Sequence, residues 1–246
     1  MITLKIKVTW RCNLSCAMCS YWRRADLPEL RTPQWERVID DAVDLGCRKV
    51  HFSGGEPLLR PDLERLVARA ASQGLRVNLT TNGTLLSEER AESLVDAGIS
   101  AATFSIDSPL KKVHDKVRGA GAWQATIAGA KGLRRVAKRR RARVRLRINV
   151  VLTKKTYRTV AGFPEMSARL RAKNILLIPV DDTGEGGLRL GKRQIMEYNA
   201  SLVDSLASAG VASSHPFGTS SRDIALSSRG FYARGEYDSQ PCLISW

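Results

Sequence analysis

Cys12, Cys16 and Cys19 place three thiols within eight residues, at the spacing C-x₃-C-x₂-C. Thiolates are the preferred ligands of zinc and of iron–sulfur clusters. Three of them on one short loop supply three corners of a cubane cluster and leave the fourth iron without a ligand from that loop. An open metal position is what a catalytic site needs and what a structural site avoids. The same residues also allow a zinc knuckle, completed by Cys47 or His51 as fourth ligand.

A second group with chemical potential is Gly54-Gly55-Glu56-Pro57. A glycine pair at a strand end lets the backbone approach a ligand closely, and a carboxylate there accepts hydrogen bonds from an ammonium group. The cysteines follow the alternating run Ile2 to Trp10, and Gly54 to Pro57 follow the next strand, with one helix between. In that order the two motifs resemble the radical S-adenosylmethionine (radical SAM) enzymes, whose hallmark is C-x₃-C-x-Φ-C after the first barrel strand. The position before the last cysteine, usually aromatic there, is Met18, a side chain that still packs over a cluster.

The resemblance covers Met1 to about Val180. It implies a [4Fe–4S] cluster on Cys12, Cys16 and Cys19 whose open iron chelates the amino and carboxylate groups of SAM. An electron from the cluster then cleaves SAM to methionine and a 5′-deoxyadenosyl radical, which abstracts hydrogen from a substrate. It also implies that Gly54, Gly55, Glu56 and Pro57 bind the SAM amino group. Thr81, Asn82, Ser105 and Asp107 would face its carboxylate and ribose, with Arg118 as a partner for the carboxylate and Asn149 as a contact for ribose or adenine. Ile178-Pro179-Val180 would pack against adenine. Without the resemblance, the same residues read as loop caps, a surface arginine and an ordinary strand end. No general base or nucleophile is assigned.

The elements that must position these groups alternate along the chain. Strands are expected over Ile2–Thr9, Lys49–Ser53, Arg76–Thr81, Ala101–Ile106, Arg145–Leu152 and Ile175–Pro179. Helices are expected between them: one from Thr32-Pro33, with Thr as N-cap, to a stop at Gly46; one opened by Pro61; one capped by Ser87; and ones near Trp123–Ala137, Tyr157–Leu170 and Ile195–Leu206. A polar loop carries His114, Asp115 and Arg118. Strand–helix alternation with short connections indicates a parallel α/β sheet with right-handed crossovers, either open and doubly wound or a partial barrel. The resemblance favours a partial (β/α)₆ TIM-type barrel over 1–180, with a short irregular C-terminal extension over 181–246. In both architectures ligands bind at the carboxyl ends of the strands, where every motif above falls.

The length of 246 residues fits one large domain, or one domain with an appendage. No apolar run reaches membrane-spanning length, and no signal-peptide pattern opens the chain. Five cysteines, three of them clustered, do not form a disulfide framework, so a reducing, cytoplasmic setting is expected. The formal charge of +16 is high for an enzyme acting on a small metabolite. Much of the excess lies in Lys131 to Arg147, which includes Lys138-Arg139-Arg140-Arg141. This run is either a solvated surface or a dock for an anionic partner, and it lacks the interleaved aromatics of a nucleic-acid face.

Cys47 reads as a buried, inert thiol, and His51, His114 and His215 show no catalytic pattern. Pro241-Cys242…Trp246 resembles the start of the auxiliary-cluster domain in radical SAM proteins with twitch or SPASM extensions, but one cysteine holds no cluster. The expected function is a radical SAM enzyme of peptide or natural-product maturation, acting on a peptide or small molecule, with an electron donor such as ferredoxin or flavodoxin. A tRNA- or nucleotide-modifying enzyme and a metal-stabilised nucleic-acid-binding protein are the rivals.

Overall fold

The computed structural model describes residues 2–181, 187–213 and 219–227. His215 and the Pro241–Trp246 element lie outside them. The chain divides into two compact units. One comprises Met1–Ser105 with Gly121–Leu146, the other Ile106–Ala120 with the residues from Arg147 on.

The first unit contains β1 (Thr3–Thr9), α1 (Thr32–Asp44), β2 (Lys49–Gly54), α2 (Leu63–Ser72), β3 (Arg76–Thr81), α3 (Glu88–Asp96), β4 (Ile99–Ser105) and, further along, α5 (Ala122–Arg139). Its four strands pair in parallel and in sequence order. The register aligns Ile6 with Phe52, Phe52 with Leu79 and Leu79 with Ala102, an apolar row that is buried throughout. The neighbouring row, Lys5, His51, Asn78 and Ala101, belongs to the opposite face. Leu63, Leu66, Val67 and Ala70 of α2 and Ala91, Leu94 and Val95 of α3 recur at helical spacing and are buried. Burying each such leucine or phenylalanine contributes about 1.5–3 kcal/mol.

The second unit holds α4 (Lys111–Arg118), most of β5 (Arg145–Leu152), α6 (Phe163–Leu170), β6 (Asn174–Pro179), α7 (Lys192–Ser201), α8 (Val203–Ser208), β7 (Ala212–Ser213) and α9 (Ser221–Ile224). The strands β5, β6 and β7 are again parallel and sequential. Leu146, Ile148, Val150 and Leu152 are buried while Arg147, Asn149 and Val151 are half-buried, the period-2 pattern of a two-faced strand.

The strand expectations hold to within two residues, and a seventh, two-residue strand was not foreseen. Four local expectations change, the first being that the single helix expected over Tyr157–Leu170 is a 3₁₀ segment, Tyr157–Gly162, followed by α6. Thr32 is the first helical residue rather than the N-cap: its hydroxyl donates to Asp62 Oδ2 at 2.5 Å, while the Gln34 side chain accepts the Arg31 N–H at 2.9 Å. The polar loop around His114 is the helix α4, whose buried face is only His114 and Val117. The single helix expected over Ile195–Leu206 is two, α7 and α8, meeting at Leu202.

Candidate active site

The cysteine loop follows β1 directly and has little regular structure of its own. A turn from Cys19 N–H to Cys16 O and a short 3₁₀ segment, Tyr21–Arg24, are its main backbone features. Such a loop must be held by something else. Part of that hold is the backbone of the glycine motif. Gly55 N–H donates to Thr9 O and Glu56 N–H to Arg11 O, each at 2.8 Å. These bonds extend the β1–β2 ladder to the residue before Cys12. Gly54 sits at φ +133°, and a Cβ there would lie 2.3 Å from Thr9 O. A Cβ on Gly55 would lie 2.1 Å from Arg11 O. The two glycines therefore serve a backbone-to-backbone approach, and what they approach is the cysteine loop.

Glu56 is fully buried. Its carboxylate accepts from Leu58 N–H at 3.0 Å, Thr81 Oγ1–H at 2.7 Å and Asn82 N–H at 2.7 Å. It thus spans from the end of β2 to the end of β3. Pro57 opens the 3₁₀ turn Pro57–Leu59 that follows it. Asn82 continues the connection: its Nδ2 donates to Asn13 Oδ1 at 2.9 Å, and Asn13 Nδ2 donates to Thr84 Oγ1 at 2.8 Å. Asn13 lies between the first two cysteines, so the polar chain Glu56–Asn82–Asn13 runs from a buried carboxylate into the loop. Ser105 ends β4, half-buried.

In the second unit the structure gathers Asp107, Arg118 and Asn149. Asp107 has a fully buried side chain and receives Arg118 Nε at 2.6 Å and Nη2 at 3.2 Å. Its Oδ1 also accepts Val151 N–H at 2.9 Å. Asn149 O accepts Ile106 N–H at 2.9 Å. Arg118 and Asp107, both expected near SAM, are thus bound to each other. Beside them His114 is fully buried, and its Nδ1 accepts Asp107 N–H at 3.2 Å. Burial foremost, with the nearby Arg118 charge, pushes its pKa down to about 4, so the ring is neutral near pH 7. His114 Nε2 and Asn149 Oδ1 are buried without a hydrogen-bond partner. Such atoms are costly when left unpaired, and the Asn149 amide oxygen suits an incoming donor such as a ribose hydroxyl or adenine amino group.

The donor set fits an iron–sulfur cluster. Cys12, Cys16 and Cys19 form no disulfide, and a loop anchored by main-chain bonds needs no fourth protein ligand to stay in place. A zinc knuckle fits worse. Cys47 precedes Lys49, which pairs with Thr3. The cysteine loop lies at the opposite end of β1, about 20 Å away at strand rise. His51 pairs across from Lys5, and its Nε2 lies 2.7 Å from Thr80 Oγ1. Among the described residues, no three His, Cys, Asp or Glu side chains converge to hold a single ion.

Several residues that shape this region escaped the sequence reading. Arg60 and Glu29, described below, hold the base of the cysteine loop, and Asn13 and Thr84 tie its first turn. No periodicity marks them; the one signal is that Arg60 follows closely on Gly54–Pro57. The basic run is also less open than its sequence suggests. Arg135 pairs with Glu88, Arg139 with Glu88 and Glu92, and Arg140 with Asp96, all on α3.

Comparison with known proteins agrees with this geometry. A family model described as the Radical SAM superfamily matches residues 6–163. An AdoMet-dependent heme synthase from Methanosarcina barkeri is 34% identical over 183 residues, 73% of this chain and 51% of that one. A PqqA peptide cyclase from Granulibacter bethesdensis is 38% identical over 132 residues, 52% of this chain and 35% of that one. The chain spans about half or less of the length of these curated relatives. Among solved structures, Streptococcus suis SuiB bound to S-adenosylmethionine matches at TM-score 0.72 and 22% identity, over 86% of this chain and 50% of SuiB. SuiB has also been solved bound to its precursor peptide SuiA, matching at TM-score 0.71 and 22% identity, over 86% and 48% of the two chains. At that identity the likeness establishes the fold, the α/β partial barrel expected above. With the motifs, their order and the matched span agreeing, the chain belongs to the radical SAM superfamily.

Proposed function

We propose that this chain is the cluster- and SAM-binding core of an enzyme that modifies a peptide. Its cofactors are those of its family, a [4Fe–4S] cluster and S-adenosylmethionine. With SAM, the cluster supplies the electron transfer that leads to hydrogen abstraction from a substrate. The chain's own residues bind and place these groups. Cys12, Cys16 and Cys19 are read as the cluster ligands, and the end of β2 at Gly54–Pro57 as the seat of the SAM amino group. Thr81, Asn82 and Ser105 are read as further SAM contacts, as is the Asn149 amide, which offers an unpaired acceptor. Asp107 and Arg118 are read as SAM contacts too, on the strand end that their pair braces.

The observation that carries this reading is the main-chain seam between the cysteine loop and Gly54-Gly55-Glu56, which joins the two motifs into one structure. The names of the PqqA peptide cyclase and of SuiB with its precursor peptide support a peptide substrate. A tetrapyrrole substrate is the second reading, supported by the heme synthase relative. An electron carrier such as ferredoxin or flavodoxin completes the proposal, as does a setting in the cytoplasm; no helix among the described residues is long and apolar enough to cross a membrane. Residues 181–246 are read as an extension to the core. An anionic partner at Lys131–Arg147 would meet less unpaired charge than the sequence suggests, because Arg135, Arg139 and Arg140 already face carboxylates.

Protein reconstituted without oxygen should bind about four irons per chain and cleave SAM on reduction. Cys12→Ala, Cys16→Ala and Cys19→Ala should each lose the cluster, and Cys47→Ala should keep it. A full cluster in any of the three loop variants would refute the ligand assignment.

A further inference from the structure

Arg60 is buried, with 6% of its surface exposed, in a protein whose arginines are mostly on the outside. Its guanidinium makes a bidentate pair with Asp62, Nε to Oδ1 at 2.9 Å and Nη2 to Oδ2 at 2.6 Å. The remaining nitrogen, Nη1, donates to Val8 O at 2.9 Å and to Leu30 O at 3.2 Å. Val8 leads into the cysteine loop and Leu30 leads out of it. One nitrogen thus holds together two points of the chain that bracket all three cysteines.

Glu29 works beside it from the closing side of the loop. Its Oε1 accepts from Thr9 Oγ1–H at 2.6 Å and from Trp10 N–H at 2.8 Å. Its Oε2 faces Arg11 at 3.7 Å and Arg60 at 3.9 Å. Its pKa is lowered: burial alone would raise it, but the Thr9 and Trp10 hydrogen bonds and the two guanidinium charges outweigh that. The carboxylate therefore stays ionised at neutral pH. Asp62 in turn accepts the Thr32 hydroxyl, which ties the first turn of α1 to the same point.

We infer that Arg60 is a positioning residue for the cluster: with Glu29 it closes the base of the cysteine loop and so sets how the three thiolates are presented. The inference rests on the cluster reading above. Loops lose entropy when their ends are brought together, and here hydrogen bonds from Arg60 and to Glu29 hold those ends. Only arginine suits the position. Its planar fork satisfies a carboxylate and two carbonyls at once, whereas a lysine ammonium is a single point of charge.

The test compares wild type, Arg60→Lys and Glu29→Gln, with Arg65→Ala as a control in which an exposed pair to Glu36 is lost. Each anaerobically reconstituted protein is challenged with the iron chelator bathophenanthroline well below its melting temperature, and the reduced cluster is recorded by EPR. Partners behind metal ligands typically govern affinity by about 10–100-fold. Arg60→Lys should therefore lose iron at least about tenfold faster, with shifted g values, and Glu29→Gln should fall between it and wild type. Arg65→Ala should match wild type in both readouts. Trypsin cleavage at Arg23–Arg24 of the metal-free proteins reads the loop base without a cluster, and it should follow the same order. If Arg60→Lys does not fold, the same chelation and EPR comparison of Glu29→Gln decides. Wild type that binds a full cluster while both variants match it in loss rate and g values overturns the role of Arg60 and leaves the proposed function standing. Wild type that takes up no iron overturns both.

Discussion

The two regions that hold the expected site residues use buried charge in opposite ways. In the first unit, Glu56 and Arg60 spend their hydrogen bonds mainly on main-chain and side-chain groups of other segments: Leu58, Thr81 and Asn82 for one, Val8, Leu30 and Asp62 for the other. In the second unit, Asp107 and Arg118 bind each other, and Asp107 also accepts from the backbone of β5. The first arrangement fastens an irregular loop to a sheet. The second braces one strand end and leaves unpaired atoms beside it, on His114 and Asn149. A buried charge aimed at backbone fixes where chain segments lie; a buried charge aimed at its counter-ion fixes mainly itself. Buried polar atoms without a hydrogen-bond partner occur in both units, Trp22 and Trp35 Nε1 in the first and His114 Nε2 and Asn149 Oδ1 in the second.

The comparison is broken most strongly at Arg118. Arg118→Ala would leave the Asp107 carboxylate buried with its counter-ion gone, a change that typically costs about 3–5 kcal/mol. Denaturant unfolding should show a loss of that size. A stability equal to wild type, combined with weakened SAM binding, would mean that Arg118 serves the ligand rather than the fold.

The next effect is a pH dependence confined to the second region. His114 is held near pKa 4 against an ordinary 6.5. Between those values the unfolded chain binds the extra proton and the folded chain does not, so stability rises with pH across this window and levels off above about 6.5. The full difference is about 3 kcal/mol. Asp107, Asp115 and Arg118 are the charged neighbours that act on the ring. In His114→Gln the part of the slope between pH 4 and 6.5 that belongs to this ring should vanish; an unchanged stability–pH curve would show that the ring protonates freely in the fold.

The smallest effect lies at Glu56. Glu56→Gln keeps the shape but turns one acceptor oxygen into a donor, opposing either Thr81 and Leu58 or Asn82. Loss of a hydrogen bond to a charged group costs about 1.5–3 kcal/mol. Unfolding should register that loss, and SAM affinity, followed by isothermal titration, should fall with it as the β3 end shifts. An unchanged SAM affinity would remove Glu56 from the proposed seat of the SAM amino group.

Much of this was legible from the chain. Apolar residues at spacings of two and of three to four gave the strands and most helices, because those elements bury one face. The cysteines and Gly54–Pro57 were legible as neighbours because parallel β/α units send every strand end to one side. The helix α4 was not: Lys111-Lys112-Val113-His114-Asp115-Lys116-Val117-Arg118 buries only His114 and Val117, too few for an apolar stripe. Arg60 was invisible for a different reason. Only its closeness to Gly54–Pro57 separates it from the other members of a set of 40 lysines and arginines. Its partners, Val8 and Leu30, are carbonyls, which carry no side-chain signature, and only the folded chain brings them to it. Arg118 was read for its charge, and its use in the fold depended on Asp107 lying within reach across a turn and a helix.

The seam at Gly54 and Gly55 also bears on hydrogen exchange. Two main-chain hydrogen bonds carry the sheet past the nominal end of β1, to the residue before Cys12. The amides of Gly55 and Glu56, though beyond the strand proper, belong to the same cooperative unit as β1 and β2 and exchange with solvent hydrogen on its timescale. The first cysteine is therefore the next residue after a main-chain bond of the sheet, and protection of these two amides would report on the fastening of the loop.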